Sequence, residues 1–222
     1  MAKDRNGKSL DDTPQKITSM LEFVTYFGGS PKISVNSVKL NNLNQVTELI
    51  LEDNYYLYEA MRLFYANGGG KCYVVSVGKS DGSNITLTAL KKGLDAIAKV
   101  DEPTLLVAPD ACILGQSDMN SLYQAMLAQC GKLGDRFAIF DLKNEESLTL
   151  DEEIQNFRNG IGMNNLKYGA AYTPWLKANL PREVSYASIK GKINRNGSPL
   201  SLADLIDDAD AKALANQLDQ LI

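Results

Sequence analysis

Residues 67–80 read NGGGKCYVVSVGKS. The stretch holds two glycine–lysine pairs, Gly70-Lys71 and Gly78-Lys79, and Ser80 follows the second. A phosphate loop needs G-x-x-x-x-G-K-S/T after a strand and at the start of a helix, where backbone N–H groups face the anion. For the first pair, the leading-glycine position holds Tyr65 and the order is helix, glycines, strand. A helix carboxyl end presents carbonyls and repels phosphate. For the second pair, that position holds Tyr73, and the next helix is expected only after residues 81–86, DGSNIT. The stretch therefore reads as punctuation. Gly68, Gly69 and Gly70 turn the chain from a helix into its first buried strand, and Gly78 with Gly82 makes a surface turn.

Upstream, Leu57, Met61 and Phe64 share a helical face that stops at Asn67 and Gly68. Before it, Ile33 and Val35, then Val46, Glu48 and Ile50, predict a hairpin around Asn41-Asn42. Earlier still, Ser19 and Glu22 form a capping-box pattern ahead of Met20, Phe23, Val24 and Phe27 at helical spacing, and Gly28 and Gly29 end that helix. Residues 1–16 are charged, aperiodic and expected to be flexible.

Downstream, strands and helices alternate. CYVVSV (72–77) is a strand, and Leu87, Leu90, Leu94 and Ile97 mark a helix. TLLVA (104–108) is a second strand; Met119, Leu122, Met126, Cys130 and Leu133 mark a helix with Asp118 as N-cap. RFAIFDL (136–142) is a third strand; Leu150, Ile154, Phe157 and Ile161 mark a helix. KYGAAYTPWL (167–176) is a fourth, stopped by Pro174, which cannot donate to a ladder. This order predicts an α/β fold: a mostly parallel sheet flanked by helices on both faces, three layers in all. Residues 179–222 read as an exposed strand and turn (185–197). Ser201 and Asp204 then open a helical extension running to Ile222, with Leu214, Leu218 and Leu221 on one face.

The 222 residues are 44% hydrophobic and 23% charged, the balance of an ordinary globular protein. The net charge of −4 is interspersed, so no basic stripe points to nucleic acid. No apolar run approaches the roughly 20 residues that span a bilayer, and MAKDRNGKSLDD lacks a signal-peptide core. Cys72, Cys112 and Cys130 fit neither a disulfide framework nor a zinc pattern, and read as buried thiols compatible with a reducing cytoplasm. Histidine is absent, which removes the commonest proton-transfer side chain and metal ligand.

In α/β sheets, ligands sit beyond the carboxyl ends of the strands. Asp110 and Asp141 fall there and would serve as Mg²⁺ ligands or an acid–base pair, with Lys143 as a neighbour. The plainer reading makes them turn and cap residues. The acidic runs DEE (151–153) and DDAD (207–210) fall at helix starts, where negative charge suits the dipole. Trp175, Tyr55, Tyr56 and Tyr58 are candidate core or interface anchors.

Taken in order, FGG (Phe27, Gly28, Gly29), YYLYEAMRLFYANGGGKCYVVSVG (55–78, with Asn67, Gly68, Gly69, Cys72 and Tyr73), LLVAPDA (105–111), RFAIFDLK (136–143) and YGAAYTPWLK (168–177, with Pro174 and Trp175) resemble the contractile tail sheath family. These are subunits of phage tails and related contractile injection systems. The resemblance covers about residues 17–178. It implies a structural subunit, not an enzyme, with no catalytic, metal or cofactor residues. Such subunits stack as hexameric rings around an inner tube and contract to drive it through a target envelope. The implied partners are other copies of the subunit, the inner tube protein and baseplate components, without nucleic acid or membrane insertion. The implied location is the bacterial cytoplasm during assembly, then the phage tail or injection particle.

Family chains usually carry a leading extended segment and a further domain after the PWL block. The expectation is therefore a fragment: residues 1–16 flexible, 17–178 the α/β core, and 179–222 a truncated strand and helix. Such a fragment is expected to be monomeric or weakly associated. Ser76 stands where an arginine is frequent in the family. The alternatives are a Mg²⁺-dependent hydrolase or nucleotide-binding enzyme using Asp110 and Asp141, and an unrelated α/β interaction module.

Overall fold

A computed structural model of the chain describes residues 2–4, 6–31, 33–51, 55–79, 85–145, 147–182 and 184–222. Ser80 and Gly82, of the second glycine–lysine stretch, lie outside them. In chain order the elements are β1 (Gln15–Ile17), α1 (Met20–Phe27), β2 (Val35–Leu40), β3 (Val46–Leu51), α2 (Leu57–Ala66), β4 (Cys72–Val74), α3 (Leu87–Ile97), β5 (Leu105–Val107), α4 (Gln116–Leu133), β6 (Phe137–Asp141), α5 (Leu150–Ile161), β7 (Gly169–Tyr172), α6 (Tyr186–Ile189), β8 (Ile193–Arg195), β9 (Ser198–Pro199) and α7 (Ala209–Leu221). Short 3-10 turns occupy Pro109–Ile113, Leu166–Tyr168 and Leu202–Leu205. The chain divides into two compact units, Met1–Pro31 with Tyr55–Asn179, and Lys32–Asn54 with Leu180–Ile222. The hairpin thus groups with the C-terminal stretch, not with the 17–178 core to which the sequence assigns it.

The first unit is α/β, built on a parallel sheet in the order β5-β6-β7. Leu106, Ala138 and Phe140 point to one face and pack with Met119, Leu122, Tyr123, Met126, Leu127 and Cys130 of α4. Side chains of α3 and α5 complete this cluster. At Gly169 a Cβ would lie 2.6 Å from Phe140 and 2.7 Å from Leu127, so strand and helix meet there with no room for a side chain. The opposite face differs from the three-layer expectation. Leu105 and Val107 are 57% and 54% exposed on it, so β5 is covered on one face only.

The predicted first strand is also placed differently. β4 pairs antiparallel with β1, Ile17 opposite Cys72, and does not join the parallel ladder. Tyr73 of β4, and Val75 just after it, still pack against the α4 cluster, and Val77 lies against Gly93 of α3. The N-terminal segment, expected to be flexible, is built into this unit. Ala2 and Leu10 are buried, and Asp12 N–H donates to the Ser76 carbonyl at 2.8 Å.

Helix boundaries follow local chemistry. At α1, Ser19 Oγ accepts from Glu22 N–H, while the Glu22 carboxylate accepts from Thr18 N–H at 2.7 Å, one residue before the expected box partner. Gly115, not Asp118, caps α4; Asp118 stands in its first turn, where its charge suits the dipole. Thr149 and Glu152 close a reciprocal capping box at α5.

The second unit is a four-stranded sheet, β3-β2-β8-β9. The hairpin turn is held by Asn41 Oδ1, which accepts from Leu43 and Gln45 N–H. The sequence pattern predicts an exposed strand at β8. The strand instead pairs parallel with β2 and buries Ile193 against Val35, Val38 and Leu40. Asn196 and Gly197, both at positive φ, turn β8 into β9, as two-residue hairpin loops require. The expected continuous helix from Ser201 is broken. Ser201 and Asp204 cap only the 3-10 turn Leu202–Leu205, and α7 starts afresh with Asp208 accepting from Ala211 N–H.

Candidate functional site at the carboxyl end of the parallel sheet

The glycine stretch resolves into a helix-ending motif. Gly68 N–H donates to the Tyr65 carbonyl and Gly69 N–H to the Phe64 carbonyl, the paired bonds of a Schellman ending. Gly68 has φ +81°, while Gly69 is pressed against Phe64, where a Cβ would lie 2.6 Å from the carbonyl oxygen. Asn67 Nδ2 donates to the Leu63 carbonyl. These glycines face helix carbonyls, not an anion.

The other residues of the resemblance gather in packing knots. Gly28, at φ +95°, donates to the Val24 carbonyl and ends α1; Gly29 contacts nothing a Cβ would meet. Phe27 packs on Phe23 with ring centroids 5.3 Å apart and the planes tilted by 39°, in a cluster with Ile17, Met61 and Val74 that Cys72 and Tyr65 border. The Cys72 thiol and Tyr65 hydroxyl lie 3.4 Å apart, and burial raises the pKa of both. Tyr73 OH donates to Glu102, which also receives Lys16 from β1 at 2.7 Å. The bonds from Lys16 and Tyr73 hold the Glu102 carboxyl below its usual pKa.

Beyond the strand ends lies the ground where an α/β enzyme keeps its chemistry. Asp110 sits in the turn after β5. Its Oδ1 accepts from Tyr56 N–H at 2.5 Å and Leu57 N–H at 3.2 Å, so it caps the start of α2 from outside. Tyr56 packs edge-on against Trp175 at 5.4 Å, and Trp175 Nε1 donates to the Leu142 carbonyl at 2.7 Å. Asp110, Tyr56 and Trp175 thereby join three segments at this end. Pro174, just before Trp175, follows a cis peptide bond.

Asp141 ends β6 on the face opposite the α4 core. Burial raises its pKa, and its carboxylate makes no hydrogen bond among the described residues. Lys143 does not pair with it but with Glu145, at 3.3 Å. Both aspartates bear electrostatically on the Cys112 thiol, which burial raises to a pKa of about 12 and which donates to the Pro109 carbonyl. A thiol held protonated in this way is no nucleophile at neutral pH. A small cleft of only about 10 Å³ beyond β6 is bordered by Leu142, Lys143, Glu145 and Glu153, and by neither aspartate. Among the described residues no group of three or more His, Cys, Asp or Glu side chains could hold a metal ion. No helix there is long and apolar enough to cross a membrane.

Asp110's capping role carries no local signal, because its partners lie more than 50 residues upstream. The outer edge of β3, by contrast, does carry a local sequence signal. Among the described residues β3 is an edge strand with β2 on one side only, and Val46, Leu49 and Ile50 are exposed on it. The run Leu49-Ile50-Leu51 lacks the alternation that a half-solvated strand shows. The opposite edge, β9, is two residues long and contains Pro199, both of which discourage further pairing. On α7, Leu214, Leu218 and Leu221 form an exposed stripe while Ala215 faces inward. Compared with known proteins, the chain matches no family model and no curated protein.

Proposed function

We propose that this chain is a structural subunit of a contractile tail sheath, one that assembles with copies of itself around an inner tube. The carrying observation is the free apolar edge of β3. A strand six residues long, paired on one side only among the described residues, with exposed apolar side chains and its one charged residue, Glu48, tied back to Lys39, is a template for another chain. The α7 stripe and the open face of β5 add apolar surface of the kind that association buries. The resemblance supplies the specific identity, and with it the tube and baseplate partners and an assembly that begins in the bacterial cytoplasm. Contraction would then be a rearrangement of subunits, with no catalytic residue involved. Electron microscopy of the full-length protein tests the reading. Tubes of stacked rings are expected, and uniformly small particles at high concentration would overturn it.

The second reading is a Mg²⁺-dependent hydrolase or nucleotide-binding enzyme using Asp110 and Asp141. It draws on one observation, two carboxyls raised by burial at the carboxyl end of a parallel sheet. Asp110's bonds to the α2 amides weigh against it. Isothermal titration with Mg²⁺ and with ATP separates the two readings, since the sheath reading expects no heat from either.

A further inference from the structure

We draw no further inference here: the strongest candidate, the unpaired outer edge of β3 with its exposed apolar side chains, already carries the proposed assembly role, and nothing in the structure shows what covers it.

Discussion

At Gly69 an added Cβ would lie 2.4 Å from the Phe64 ring and 2.6 Å from the Phe64 carbonyl oxygen. The ring can swing away, but the carbonyl is fixed by the helix. Gly69→Ala is therefore expected to cost about 1–3 kcal/mol, the range for overpacking. Gly70→Ala, with nothing within 4 Å, should stay within about 0.5 kcal/mol. Urea midpoints of the two variants at unchanged slope check the pair; equal shifts would show that the Schellman ending does not discriminate between them.

Asp110 makes a second test at the same scale. Burial raises its folded pKa above 3.8, and the bonds from Tyr56 and Leu57 offset that only in part. Its contribution to stability is therefore fullest below the unfolded pKa and is lost as pH rises through the folded value. Asp110→Asn keeps an acceptor and removes the charge. It should equal or exceed the parent in stability at neutral pH, with any advantage vanishing below pH 3.8. Asp110→Ala strands two amides and should cost about 1–3 kcal/mol. Thermal unfolding across pH reads both, and an Asn variant as damaged as the Ala variant would mean that the cap is not what Asp110 supplies.

Among elements, what the sequence made legible follows from how each segment is stabilised. α3, α5 and β6 carry their apolar residues at their own period, so local pattern and buried face agree. β4 has the composition of a buried parallel strand, yet its ladder partner is β1, in a stretch where only Ile17 signals burial. β8 hides its role likewise, since Ile193 is the one apolar residue in Ile193-Asn194-Arg195. Long-range pairing decided both, and periodicity within a segment carries no trace of it. The functional candidates divide the same way: Asp110 and Asp141 were found by position, but the bonds that occupy Asp110 were not.

β3 yields the prediction at this scale. Leu49 is 46% exposed beside the free edge, so Leu49→Lys should leave the fold in place while placing a gatekeeper charge on the template. Sedimentation velocity on the full-length protein should show self-association weakened at least about tenfold, a loss of about 1.4 kcal/mol. Undiminished association would remove this edge from the assembly surface.

For the molecule as a whole, the second unit is discontinuous in sequence. β2 and β3 come from one part of the chain, and β8, β9 and α7 from another. Val38 pairs with Ile193, and Asn194 Nδ2 donates to Ser37 Oγ. A peptide of residues 180–222 therefore lacks the strands on which Ile193 packs. It is expected to show no cooperative thermal transition by circular dichroism, and to gain one when the 32–54 hairpin is supplied by fusion. A cooperative transition in the peptide alone would mean that α6 and α7 suffice for a core.

Ser37 and Asn194 are 157 residues apart along the chain. At about 5–20 residues per second, a ribosome needs roughly 8–30 s to synthesise the stretch between them. During that interval the nascent hairpin has neither β8 nor the helical segments that follow, and Val35, Val38 and Leu40 have no Ile193 to pack against. Translation speed past the first unit thus sets how long a sticky, half-built sheet is offered to chaperones and to neighbouring nascent chains on the same message.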